Sequence, residues 1–146
     1  MKKIFLSVKI NLVGRENPLQ IKRIFNIKPY HCAQYTRLMV ENLFDIKYPI
    51  ADAWELLYVC NVSKFDINKI KPGDIILCEN PKSKFKGEKD SKNNIIVYTH
   101  TSLYLGIEKE TNLIYFVHQY SSEQEIVSYE ELRERGLTPK FIIRPK

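Results

Sequence analysis

The residues best suited to chemistry are one cysteine and two histidines. Cys32 lies in PYHCAQYTRLMVENLF, Pro29 to Phe44, where a loop gives way to a helix. A helix start presents unpaired N–H groups and the positive end of the helix dipole. A thiolate placed there is stabilised, so its pKa falls and it becomes a nucleophile at neutral pH. His100 in YTHTSLYLG and His118 in IYFVHQY each sit inside an apolar, strand-like run. The three together predict a cysteine hydrolase, with Cys32 as nucleophile, His100 as base and His118 as the group that holds the base in one tautomer. The backbone N–H of Cys32 would meet the developing oxyanion, with the Tyr30 hydroxyl as a supporting donor.

Each of these residues also has a plainer reading. A single cysteine on a helix is most often a small core hydrophobe, and Cys60 and Cys78 are read that way. A histidine in a strand is more often a satisfied structural group than a catalyst. Tyr98 and Tyr104 read as packing, Trp54 as core, and His31 as a helix cap or a neighbour that polarises the thiol. A metal site built from His31, Cys32, His100 and His118 is disfavoured, because adjacent side chains at a helix start diverge. No metal or other cofactor is called for.

The elements that must position these groups follow from periodicity and caps. Residues 3–13 alternate through Leu6, Val8, Ile10 and Leu12, which predicts a strand. Pro18 to Ile27 fits either a short helix or a strand. Cys32 to Asp45 is predicted helical, with Arg37 and Glu41 as an i,i+4 pair. Ala51 to Cys60 is predicted as a second helix, with Asp52 and Glu55 as a capping box and with Trp54, Leu57 and Tyr58 burying together. Pro72-Gly73 marks a turn before a buried strand from Ile75 to Cys78. Residues 79–94 are a polar loop. Strands are predicted from Ile95 to Leu105, Leu113 to Tyr120, at Ile126-Val127, and from Phe141 to Arg144. Ser128 and Glu131 cap a short helix that stops at Gly136. The order is α+β, with N-terminal helices on an antiparallel sheet.

Hairpin register decides whether the two histidines meet. A turn centred on Lys109 sets His100 directly opposite His118. A turn centred on Glu110 leaves them diagonal neighbours on one face. An odd register would send them to opposite faces.

At 146 residues the chain is long enough for a single domain spanning 1–146 with one core. Apolar residues make up 44%, which excludes a disordered chain. Lys and Arg outnumber Asp and Glu by 23 to 17, a net +6 that favours an anionic partner. The charges are scattered, and no Arg-rich helix or RNA-binding signature is present, so no nucleic acid partner is expected. Three cysteines without a C-x-x-C pattern argue for a reducing compartment over a disulfide framework. MKKIFLSVKINLV is interrupted by Lys9 and Asn11 and lacks a small-residue cleavage site, so it is not read as a signal peptide. The expectation is a chain that is cytoplasmic at synthesis and has no membrane span.

HCAQYTRLMV, the Pro72-Gly73-Asp74 turn, the run from His100 to Gly106 and YFVHQY occur in the order seen in one family. The chain resembles the NlpC-type cell-wall cysteine peptidases and their CHAP amidase relatives, over about Tyr30 to Tyr120 and again in the closing FIIRP. The resemblance implies a papain-like core and hydrolysis of an amide bond in a cell-wall peptide. It implies catalytic roles for Cys32, His100 and His118. The sequence departs from the family at His31-Cys32-Ala33-Gln34, where Asp-Cys-Ser-Gly is usual, and at Thr101 and Ser102, where valine and glycine are usual. It also carries a long charged insertion in 79–94. The alternatives are a catalytically inactive papain-like binding module, or an acyltransferase or thioester hydrolase using the same Cys-His pair.

Overall fold

In the computed structural model, residues 7–22, 31–121 and 123–146 are described. Tyr30, the predicted oxyanion support, lies outside the described residues, as do residues 3–6 and 23–27 of the predicted N-terminal elements.

β1 (Ser7–Ile10) and β2 (Leu19–Lys22) pair antiparallel, so the described part of the ambiguous second segment is a strand. The remaining strands are β3 (Asn61–Lys64), β4 (Ile75–Glu79), β5 (Tyr98–Ile107), β6 (Ile114–Tyr120), β7 (Glu123–Ser128) and β8 (Thr138–Arg144). They form one six-stranded antiparallel sheet in the order β3-β8-β4-β5-β6-β7.

The expected architecture is therefore present at the level of α+β, with one main helix on the sheet. That helix is α1 (Cys32–Phe44). It ends at Asp45, whose left-handed φ of 56° closes the last turn onto Glu41. Tyr35, Met39 and Val40 are buried on α1 and belong to one core cluster with Leu77, Leu103, Leu105, Val117 and Ile143 of the sheet. Each such side chain contributes about 1.5–3 kcal/mol by leaving water.

The predicted helix from Ala51 to Cys60 is corrected. Ala53–Glu55 is a single 3₁₀ turn that runs into α2 (Leu56–Val59). Asp52 N–H does donate to Glu55 Oε1 at 3.2 Å. Beyond Val59, however, Cys60 is extended and Asn61 enters β3, where pairing with β8 outcompetes another helical turn. Leu56 is the side chain that buries; Trp54, Leu57 and Tyr58 are only half-buried.

The other face of the sheet packs Ile76, Tyr104, Phe116, Val127 and Ile142 beneath α3 (Tyr129–Glu134) and its Leu132. The capping box of α3 is as expected: Glu131 N–H donates to Ser128 Oγ at 3.2 Å, and Ser128 N–H donates to Glu131 Oε1 at 3.0 Å. The sheet thus separates an α1 layer from an α3 layer.

Gly73 lies at φ 97° in the Pro-Gly turn, and a Cβ there would stand 2.7 Å from Ile46 Cδ1. Only glycine fits both that conformation and that contact. No helix among the described residues is long and apolar enough to cross a membrane.

Candidate active site

Cys32 is the first residue of α1, as predicted, with His31 at the N-cap position. The His31 side chain does not cap the helix; its Nδ1 lies 3.1 Å from Gln34 Oε1. Cys32 is 9% exposed, and its thiol donates to the Thr99 carbonyl at 3.4 Å. Thr36 anchors this end of the helix, sharing a hydrogen with Thr101 Oγ1 at 2.9 Å and donating to the Cys32 carbonyl, also at 2.9 Å.

The expected low thiol pKa is not what this geometry gives. Burial pushes the Cys32 thiol up, and hydrogen bonding from the Thr101 and Ala33 backbone offsets only part of it. Desolvation of a nearly closed thiol outweighs the half-charge of the helix start.

His100 and His118 do meet. Leu103 pairs with Val117 and Tyr104 with Phe116, so on this side of the hairpin the register is the diagonal one centred on Glu110. The pairing shifts between Tyr104 and Gly106, leaving Leu105 as the extra residue of a bulge. Had the turn-side register continued without that bulge, the histidines would have faced opposite sides. Their rings are nearly perpendicular, with centroids 4.9 Å apart. His100 Nε2 and His118 Nδ1 are separated by 2.8 Å.

A carboxylate terminates the chain of contacts. His118 Nε2 lies 2.9 Å from Glu125 Oε1 across the β6–β7 register. Glu125 is gripped through both oxygens by Arg135: Nη2 donates to Oε2 at 2.9 Å and Nε donates to Oε1. Burial would raise this carboxyl, but the hydrogen bonds from His118 and Arg135 overcome it and hold its pKa down at about 2.

That ionised end fixes every proton upstream. Glu125 can only accept, so His118 Nε2 donates to it. Neutral His118 then has a bare Nδ1, which accepts from His100 Nε2–H. Ser102 Oγ, 3.1 Å from the same Nδ1, is a second donor. His100 therefore carries its proton on Nε2 and leaves Nδ1 bare. Burial keeps both rings neutral: it lowers the His100 pKa well below its ordinary value, aided by His118, and lowers that of His118 despite Glu125. His100 is 3% exposed and His118 is fully buried. This is the tautomer that a base accepting a proton on Nδ1 requires.

The thiol and the imidazole belong to different layers. Strand alternation sends Thr101 toward α1, and His100 and Ser102 toward the α3 side. They meet only at the end of β5. There the pairing shift at Cys78/Glu79 makes Thr99 the extra residue of a second bulge. Cys32 and His100 line one cavity of about 320 Å³ at that end, together with Asn80, Lys82 and Tyr120. A second cavity of about 590 Å³ opens on the other side of Cys32. Thr99 lines both, and its Oγ1 is buried without a hydrogen-bond partner among the described residues.

Sequence reasoning missed Glu125, Arg135 and Ser102. Trp54, read as core, does pack against the main core cluster, half-buried, and it also lines the larger cavity. Asp74 is structural. Arg144 holds it through Nε to Oδ1 and Nη2 to Oδ2, each at 2.8 Å, and the Lys71 N–H donates to it at 2.7 Å.

Comparison with family models, with curated proteins and with solved structures returned no match.

Proposed function

We propose that this protein is a cysteine-dependent amide hydrolase in which Cys32 attacks the carbonyl and His100 Nδ1 takes its proton. His118, Glu125 and Arg135 hold that imidazole in the required tautomer. The observation that carries the reading is the chain from Arg135 through Glu125 to the two buried histidines, which ends on a bare nitrogen of His100, a residue lining the cleft that also holds Cys32 at the start of α1. A purely structural network would have no need to leave that nitrogen open. The resting thiol lies on the Thr99 carbonyl, so catalysis requires Sγ to leave that acceptor for His100 Nδ1. The unmet Thr99 hydroxyl beside it supports a second arrangement of this corner, since a buried orphan marks either strain or a missing partner. The resemblance to NlpC-type peptidases, and with it a papain-like core and a cell-wall peptide substrate, belongs to the same proposal.

One observation favours a second reading. The thiol is pushed up by burial and bonded to a main-chain carbonyl, as in a binding module that has lost its nucleophile. Trapping separates the two. An activated amide or thioester should leave a covalent acyl adduct on Cys32 in wild type, visible in the intact mass and absent in Cys32→Ala. Failure of every acyl donor to form one would leave only the binding module.

A further inference from the structure

Cys32 stands on the ridge between two cavities of opposite character. Cys32, Thr99 and Phe85 line both, so a bound chain would cross from one to the other over the sulfur. The larger cavity is walled by Ile50, Trp54 and Phe85, with Arg37, Asp52 and Glu55 among its other lining groups. Ile50 is 86% exposed, and the Trp54 and Phe85 rings approach to 5.5 Å. Among the described residues that line it, the smaller cavity has Lys82 and Lys84 and no carboxylate. Lys86, further along the same loop, pairs with Glu79 at 2.8 Å. Asn80 orders this wall, its Oδ1 accepting from the Lys82 N–H at 3.1 Å.

His100 lines only the smaller cavity. This sets the direction of the substrate. The proton taken from the thiol must be returned to the departing nitrogen, so the leaving group lies on the imidazole side. The acyl part then lies on the opposite side, against Ile50, Trp54 and Phe85.

We propose that the substrate is an amide with an apolar acyl part and an amine part that carries a carboxylate, read by Lys82 and Lys84. This rests on the hydrolase reading above. In the first step the Cys32 S–C bond forms and the C–N bond breaks. The thiol proton passes through His100 to the leaving amine. Water then cleaves the thioester, releasing the carboxylic acid and restoring the thiol. On this account the polar loop after β4 is the leaving-group wall, and its lysines set specificity.

The test uses the full chain and four amides: phenylacetyl or acetyl joined to glutamate or to the neutral diamide of glutamate. Turnover is followed by amine release, and occupancy by protection of Cys32 from iodoacetamide. Phenylacetyl-glutamate should be cleaved with kcat/KM at least about tenfold above its neutral counterpart, mostly through KM, and the ratio should shrink as salt screens the lysines. The double variant Lys82→Ala/Lys84→Ala, checked for an unchanged melting temperature, should bring that ratio to about one. Equal cleavage of charged and neutral amides by wild type overturns the substrate assignment and leaves the hydrolase standing. Charge-selective protection that the double variant loses, with no turnover, keeps the cleft assignment and overturns the hydrolase. Neither turnover nor protection overturns both.

Discussion

Two carboxylate–arginine pairs connect to opposite ends of β5, one through the Asp74–Tyr104 main-chain bond and one through His118 and His100, and they end differently. At one end Asp74 is held by Arg144 and by the Lys71 N–H, while the Tyr48 hydroxyl donates to the Ile143 carbonyl at 2.8 Å. Every partner there is main chain or the arginine itself, and the network closes on structure. At the other end Glu125 is held by Arg135 in the same two-pronged way, but its second partner is a histidine that passes the constraint to a second histidine. That network ends on an acceptor with no partner among the described residues, on a histidine that lines a cavity. What distinguishes the two carboxylate–arginine pairs is whether the last group is satisfied.

The comparison can be broken from either end. Cys32→Ala or His100→Ala should lower kcat/KM by about a thousandfold or more, as loss of a nucleophile or its base does. A fall of less than tenfold in either would remove the open end from the chemistry. Glu125→Gln should lower kcat by about tenfold to a hundredfold, the usual effect of losing an outer partner that fixes a histidine tautomer. A glutamine can turn its amide N–H toward His118 Nε2 and invert the chain of donors, so a shifted pH profile should accompany the loss. Asp74→Asn should do the opposite. It should leave kcat unchanged and reduce unfolding free energy by roughly 2–3 kcal/mol in denaturant titrations. That is below the cost of a fully buried pair, because Arg144 is partly in water.

Acid should separate the ends further. Glu125 is depressed from 4.5 to about 2 in the folded chain, so its stabilising effect is complete above 4.5 and is lost as pH falls toward 2. The two imidazoles are also depressed below their ordinary 6.5, so the unfolded chain takes up their protons first and stability declines as pH falls below 6.5. Urea midpoints should drop between pH 7 and pH 5 in wild type, and should drop less in His118→Gln. The smallest effect is expected of Ser102→Ala. It removes one of two donors to His118 Nδ1 and should cost no more than about 1 kcal/mol, with activity nearly unchanged.

Much of this was legible in the residues, and the gaps have identifiable causes. The start of α1 at Cys32 followed from its position after the proline loop and from the apolar spacing of Met39 and Val40. The meeting of His100 and His118 followed from strand alternation, but the choice between direct and diagonal pairing depended on the bulge at Leu105. Gly106, at φ 135°, was the local sign of that irregularity. Glu125 was not legible, because the sequence between Tyr120 and Glu123 carries none of the Asn-Gly or Asp-Gly signal that would have fixed the β6–β7 register. Ser121 takes a left-handed φ of 57° there without glycine. The helix predicted over Ala51 to Cys60 failed because its end was claimed by a strand partner some eighty residues away in β8, which no local pattern records. The separation of thiol and imidazole into different layers was likewise invisible, since it depends on which face of the sheet α1 covers.

The most direct test is the pH dependence of alkylation at Cys32, followed by mass spectrometry in wild type and in His100→Ala, with Cys60 and Cys78 as internal references. If His100 Nδ1 serves the thiol, Cys32 in wild type reacts readily at pH 7, and its rate falls only as acid protonates the imidazole. In His100→Ala that reactivity should appear only above the free-thiol value of about 8.5. An alkaline onset in both proteins, at rates matching the two buried reference cysteines, would contradict the account and leave Cys32 as a packed thiol on the Thr99 carbonyl.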